Sequence, residues 1–251
     1  MERPGAAEVA CGRMRNERRK FLALAGAAAS LGALSARIAG ASNGKIRIGT
    51  VGSGRVGAAL GGAWVRAGHE VMFSSLDLEH DRKLAASLGA NARAGTPRQA
   101  AAFGEVLLVS VPYGALPNVG KDLAGLIQGK IVIDTCNPFP SRDGEIANWA
   151  REKGAGLASA ELLPGARIVR TFNAVSYAQM AAASQRSERM AMPMASDDAA
   201  AVAVASRLVR DVGYEPVLIG PLAMGKHLVP GTPLAGEHKP EDVRRIAATL
   251  K

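Results

Sequence analysis

Cysteine is scarce in this chain of 251 residues: Cys11 and Cys136 are the only two, and they fall in very different regions. Two such cysteines exclude a disulfide framework. Histidine is nearly as rare. His69, His80, His227 and His238 show no spacing of metal ligands, so no metal site is expected. Aromatic residues make up 4% of the chain, which leaves Val, Ile, Leu and Ala to build the core. No run of about 20 strongly apolar residues occurs, which argues against a lasting transmembrane helix. The formal charge is +9, but no basic stripe is interleaved with aromatics. Nucleic acid is therefore not an expected partner.

What the sequence has in abundance is glycine, and one cluster of it organises the rest. Lys45–Gly57 reads KIRIGTVGSGRVG. The apolar Ile46, Ile48 and Val51 form a strand, Gly52-Ser53-Gly54-Arg55-Val56-Gly57 a turn, and Val56, Leu60, Trp64 and Val65 the face of a helix. Strand, glycine turn and helix is the context in which G-x-G-x-x-G predicts dinucleotide binding. Gly52 permits the tight turn, Gly54 lets a pyrophosphate approach the backbone, and Gly57 lets the helix pack on the strand. The helix N-terminus offers unpaired N–H groups and partial positive charge to the phosphates. A second strand, His69–Ser75, arrives where a mononucleotide-binding βαβ unit requires it. The alternative is a glycine-rich turn in some other α/β protein.

Strand and helix patterns alternate along the chain, which predicts a Rossmann-type, doubly wound, mainly parallel α/β sheet. Thr96-Pro97 is a good N-cap with a first-turn proline. Glu105–Val111 and Lys130–Asp134 are nearly continuous apolar runs, expected to be strands buried on both faces. Later strands are expected near 168–171, 190–195 and 215–219, and the clearest late helix over 199–212. The expected organisation is a leader at 1–41, a dinucleotide-binding domain at 42–154, and a small mixed α/β part at 155–251 packed on the same unit.

Ligands bind such sheets beyond the carboxyl ends of the strands. The residues expected to hold the cofactor there are Gly52, Ser53, Gly54, Arg55, Val56, Gly57, Ser74, Ser75, Val111, Pro112, Tyr113 and Asn137. The end of the second strand meets the adenosine ribose. Ser74 and Ser75 stand there in place of the usual acid, which favours NADP, while Asp77 nearby keeps NAD as the alternative. Tyr113 reads equally as a ring over the nicotinamide or as a hydrophobic plug. Cys136 is expected to be buried packing, Asn137-Pro138 a turn held by the amide, and His227 a solvated loop residue. No catalytic residue can be named.

The first forty-odd residues have the pattern of a targeting segment. Arg13, Arg15, Arg18, Arg19 and Lys20 form a basic head, Phe21–Ala36 an uncharged run, and Ala39-Gly40-Ala41 an A-x-A cleavage site. Arg18-Arg19-Lys20-Phe21-Leu22 resembles the twin-arginine motif R-R-x-F-L. Export to the periplasm is expected, with the export machinery as a transient partner. A cytoplasmic location is the alternative if the leader does not function. Removing a leader with more basic than acidic residues also softens the net charge.

Together GTVGSGRVGAAL, GHEVMFSS, AGTPRQAAAFGEVLLVSVPYGALP, GKIVIDTCNP, LPGARIVRTFN and the late IGPL resemble the NADP oxidoreductases dependent on coenzyme F-420. The resemblance runs from about Lys45 to Gly236. It implies hydride transfer between NADP(H) and a deazaflavin, coenzyme F-420, or a flavin-like acceptor. It also implies that the middle residue of the glycine turn and a Ser-Arg pair after the second strand hold the 2′-phosphate. Ser53 and Ser75 match, but Leu76 replaces the arginine. Pro112-Tyr113 matches the pair beside the nicotinamide. The substrate is then a small redox molecule, and a homodimer is compatible with the pattern. Two other readings stand beside it: a non-catalytic dinucleotide-binding sensor or partner subunit, and a small imine or hydroxyacid reductase.

Overall fold

A parallel strand buried on both faces needs apolar residues at odd and even positions alike, and the central strands have them. In β4 (Val106–Val109), Val106 and Leu108 face one layer while Leu107 and Val109 face the other. In β5 (Ile131–Asp134), Ile131 and Ile133 take the first face and Val132 the second. A computed structural model describes residues 44–250. The leader, with its twin-arginine motif and Cys11, lies outside the described residues.

Eight strands form one sheet in the order β3-β2-β1-β4-β5-β6-β7-β8. The others are β1 (Arg47–Val51), β2 (Glu70–Ser74), β3 (Ala92–Ala94), β6 (Arg167–Thr171), β7 (Ala191–Ala195) and β8 (Glu215–Gly220). Every neighbouring pair is parallel except β6 with β7. The order reverses between β1 and β4, the switch point where doubly wound sheets bind ligands.

The helices divide between the two faces. On the first lie α1 (Arg55–Arg66), α2 (Leu78–Leu88), the short α8 (Tyr177–Ala182) and α9 (Ala199–Val212). Trp64 of α1 is fully buried there and its indole N–H donates to the Leu208 carbonyl of α9 at 2.9 Å. Phe172 stands edge-on between Trp64 and Tyr214, 6.4 Å from each. Trp64, Phe172 and Tyr214 thus form one edge-to-face stack on this side of the sheet. On the second face lie α3 (Pro97–Phe103), α4 (Leu116–Ile127), the single turn α5 (Pro140–Asp143), α6 (Glu145–Lys153) and α7 (Ala155–Leu162). Thr96 and Gln99 form a reciprocal capping box at the start of α3. A smaller cluster joins Ala191, Val217, Leu228 and Leu234 to Val243 of α10 (Pro240–Ala247). The single sheet crosses from 42–154 into 155–251 through the β5–β6 ladder.

The late helix α9 is anchored by charge. Asp198 caps it, accepting the Ala201 N–H at 2.9 Å, and takes two hydrogen bonds from Arg167 at 2.6 and 2.9 Å. Arg167 first, and then the Ala201 N–H, lower the Asp198 pKa to about 2, against a smaller opposing effect of burial. A lowered carboxylate pKa contributes stability above the unfolded value, and that contribution is lost as pH falls through the folded one. Both side chains are about one-third exposed, so solvent screening limits the pair to about 1 kcal/mol. Asp198→Asn, which keeps the cap, should lower the urea unfolding free energy by that amount at pH 7. The gap to wild type should shrink between pH 4 and pH 2, the range set by the unfolded and folded values.

Candidate functional site

The turn after β1 is built by three glycines in different ways. Gly52 has φ +98, and a Cβ there would lie 2.3 Å from the Ser110 carbonyl oxygen. A Cβ on Gly57 would lie 2.0 Å from the Gly52 carbonyl oxygen, so α1 sits directly on the turn. Gly54 differs: a Cβ there would meet nothing within 4 Å. Its smallness serves no contact inside the protein and leaves the backbone open from outside. α1 begins at this point with no side-chain cap and no acidic residue in its first turn. Its leading N–H groups therefore carry the partial positive charge of a helix N-terminus with no side chain to neutralise it. The N–H groups of Gly52 and Ser53 both donate to the Ser74 carbonyl, at 2.9 and 3.0 Å, and fix the turn beside the end of β2.

At the switch point lies a cavity of about 450 Å³. Gly54–Val56 line it from β1, Ser110–Pro112 from β4, and Thr135 and Asn137 from β5. Phe139, Arg142 and Tyr177 complete its lining. The Arg55 guanidinium lies 5.4 Å from the centre of the Tyr177 ring, a cation–π contact that steadies both. Arg142 donates to the Asn137 carbonyl at 2.9 Å and pairs with Asp143 at 2.8 Å. Asp143 in turn accepts the N–H groups of Gly114 and Phe139 at 3.1 and 3.0 Å. Burial opposes ionisation of Asp143, but those donors hold its pKa below the ordinary carboxylate range. The loops after β4 and β5 are thus clamped together.

Beneath the β5 loop lies a fully buried ion pair. Asp134 and Arg170 are register partners on β5 and β6, so both side chains emerge on the same face. Arg170 donates to Asp134 at 2.7 Å, to the Cys136 carbonyl at 2.8 Å and to Asn137 Oδ1 at 3.1 Å. It also donates to the Gly225 and Leu228 carbonyls, at 3.1 and 3.2 Å, in the turn Leu222–His227 and just after it. The other Asp134 oxygen accepts the Cys136 N–H at 2.8 Å. Asn137 is therefore held on two sides, because its Nδ2 donates to the Asn173 carbonyl at 2.6 Å. Asn173 follows Phe172, which has φ +65, a strained value for a bulky residue. The Asn173 amide is buried, and neither its Nδ2 nor its Oδ1 has a hydrogen-bond partner within the described residues.

The sequence-expected residues fall into two groups. Gly54, Arg55, Val56, Val111, Pro112 and Asn137 line the cavity, and Gly52 and Gly57 shape the turn. The others face inward. Tyr113 is fully buried, with its hydroxyl 3.3 Å from the Ala155 carbonyl and 3.2 Å from Ser159. Burial pushes its pKa up. It is the plug of the two readings and does not line the cavity. Ser74 donates to the Thr50 carbonyl at 2.6 Å, and Ser53 donates to Asp81. Ser75, half-buried, also lies against Asp81. Cys136 is a free, buried thiol whose pKa burial pushes up, as packing requires. His227 lies in the turn Leu222–His227, and His69 is buried between the Ile46 N–H and Asp211. Among the described residues no group of His, Cys, Asp and Glu could hold a metal ion. Sequence reasoning missed Asp81, Asp134, Arg170, Asn173 and Tyr177.

Residues 47–138 match the family model of the NADP oxidoreductases, coenzyme F-420-dependent. Curated proteins offer no significant match. Among solved structures, a hypothetical protein from Sinorhizobium meliloti is similar at 23% identity and a TM-score of 0.66. The alignment covers 76% of this chain and 93% of that one. A protein assigned as an F-420-dependent NADP reductase from Arthrobacter sp. is similar at 21% identity and a TM-score of 0.61, over 73% of this chain and 88% of that one. A 3-hydroxyisobutyrate dehydrogenase from Mycobacterium tuberculosis is similar at 18% identity and a TM-score of 0.55, over 73% of this chain but 57% of its own. At these identities the structures establish a shared Rossmann-like α/β fold.

The ion pair predicts a specific loss. Arg170→Met leaves Asp134 charged and buried without its partner, which should lower the unfolding free energy by about 3–5 kcal/mol. Chemical denaturation is the measurement. The double variant Asp134→Leu/Arg170→Met should recover part of that loss, since no buried charge remains.

Proposed function

We propose that this chain is an NAD(P)-dependent oxidoreductase. Hydride passes between a nicotinamide seated at the switch point and a flat redox acceptor, a deazaflavin such as coenzyme F-420 or a flavin. The observation that carries the reading is the open face of Gly54 between two glycines whose faces are filled. A dinucleotide pyrophosphate fits there against the N–H groups that open α1. The family match over 47–138 covers the same turn and the β4 and β5 loops.

The dinucleotide supplies the hydride, and the protein holds it. Gly54, Arg55 and Val56 meet the phosphates, and Val111 and Pro112 give one apolar wall for the nicotinamide. Asn137, fixed by Arg170 and Asn173, presents its polar edge at the end of β5. The cavity lining contains no Asp, Glu or His. That composition suits transfer governed by stacking and distance rather than by an acid or base. The proposal includes export by the twin-arginine route, which rests on the Arg18–Leu22 motif with the uncharged run Phe21–Ala36 and the A-x-A site at Ala39-Gly40-Ala41.

Gly54→Asp tests the reading. The position is an N-cap, where Asp suits a helix, and the added side chain meets no neighbour. The variant should fold as wild type does. Its carboxylate beside a pyrophosphate should weaken dinucleotide binding about 100-fold, which corresponds to about 2.8 kcal/mol of like-charge repulsion. Titration with NADH and NADPH measures this. Unchanged affinity in the folded variant would contradict the proposal.

A further inference from the structure

The end of β2 lies beside the glycine turn, where the adenosine ribose of a bound dinucleotide arrives. A carboxylate that the sequence does not advertise controls this corner. Asp81, on the first turn of α2, is fully buried. Ser53, itself fully buried, donates its hydroxyl to Asp81 Oδ1. The Ser75 Oγ lies 3.1 and 3.0 Å from the two Asp81 oxygens. A buried carboxylate is expensive unless it receives hydrogen bonds, and these two hydroxyls supply them.

A serine hydroxyl has one proton to give. Those of Ser53 and Ser75 are directed at Asp81, and the other acceptor near Ser75, the Asp77 carbonyl at 3.2 Å, is also protein. Ser75 Oγ already accepts the Asp77 N–H at 3.1 Å. What it retains for a ligand is a lone pair. A ribose 2′-hydroxyl can donate to that lone pair, whereas a 2′-phosphate dianion has no proton to offer. The phosphate would also meet the charge of Asp81 behind Ser75 and that of Asp77 beside it. Of the nearby cations, Lys83 is exposed on α2 and Arg55 lies against the Tyr177 ring. Leu76 is fully exposed and uncharged, Arg82 is paired with Glu79, and the His80 ring lies 3.4 Å from the Ser53 carbonyl.

We propose that Asp81, acting through Ser75, makes this site select the unphosphorylated ribose, NAD(H) over NADP(H). This rests on the dinucleotide reading above and runs opposite to the cofactor expected from the two serines. Asp81 is a positioning residue, since it is buried and orients the hydroxyl that meets the ligand.

The test is titration of the full chain with NADH and NADPH, followed by nucleotide fluorescence. Wild type should bind NADH at least tenfold more tightly. Asp81→Asn removes the charge and frees the Ser75 proton, so NADPH affinity should rise at least fivefold with NADH affinity nearly unchanged. If Asp81→Asn fails to fold, Ser75→Ala at the half-buried position should lower NADH affinity several-fold and leave NADPH affinity unchanged. Tighter NADPH binding by wild type would overturn the inference and leave the dinucleotide reading intact. Parallel changes in both affinities would make Asp81 merely structural and overturn it too. Binding of neither nucleotide would defeat both.

Discussion

The Asp134–Arg170 ion pair holds the candidate site to the sheet. A buried charge pair is a weak source of stability, because desolvation offsets most of its attraction. Its value here is geometric. Arg170 spends its donors on the end of β5, on the loop that carries Asn137, and on the turn Leu222–His227. The end of β5 with its loop and the turn Leu222–His227 are distant in sequence, and Arg170 on β6 ties them together. A hydrophobic pair in the same volume would pack, but it would not fix the direction of the Asn137 amide.

The glycine turn imposes the complementary constraint from the other side of the switch point. Gly57 brings α1 against the Gly52 carbonyl at a distance no side chain tolerates. The backbone N–H groups that open α1 are then placed by packing rather than by a flexible loop. Between this turn and the Arg170 network lies the cavity, floored by the ends of β1, β4 and β5. Both walls are thus set by contacts inside the protein.

Most of the fold was legible in the sequence because strand and helix periodicities are local. VLLV and KIVID announce buried strands, Thr96-Pro97 announces a helix start, and GSGRVG announces the turn. The antiparallel pairing of β6 with β7 was not legible, since pairing direction depends on a connection that carries no motif. At the site, main-chain features were readable and side-chain directions were not. Ser53 and Ser75 stand where a 2′-phosphate is expected, but their hydroxyls point to Asp81, seven helix-and-turn residues beyond Ser74. Tyr113 follows a strand and a proline, but its ring turns down toward Ser159. A signal for the ion pair did exist. Asp134 and Arg170 each follow an apolar stretch, Ile131–Ile133 and Ile168-Val169, and two such charges of opposite sign on neighbouring strands ask for each other. Asp81 offered no such signal, because an acid in the first turn of a helix is ordinary.

The central claim is that one dinucleotide spans the glycine turn and the Arg170-held loop. Hydrogen exchange of the full chain, with and without saturating NADH, tests it most directly. The account predicts slowed exchange at the amides of 52–57 and 135–139 together, with little change at the α10 end of the sheet. Protection confined to the region of the Leu222–His227 turn, or no change at either loop despite measured binding, would contradict it.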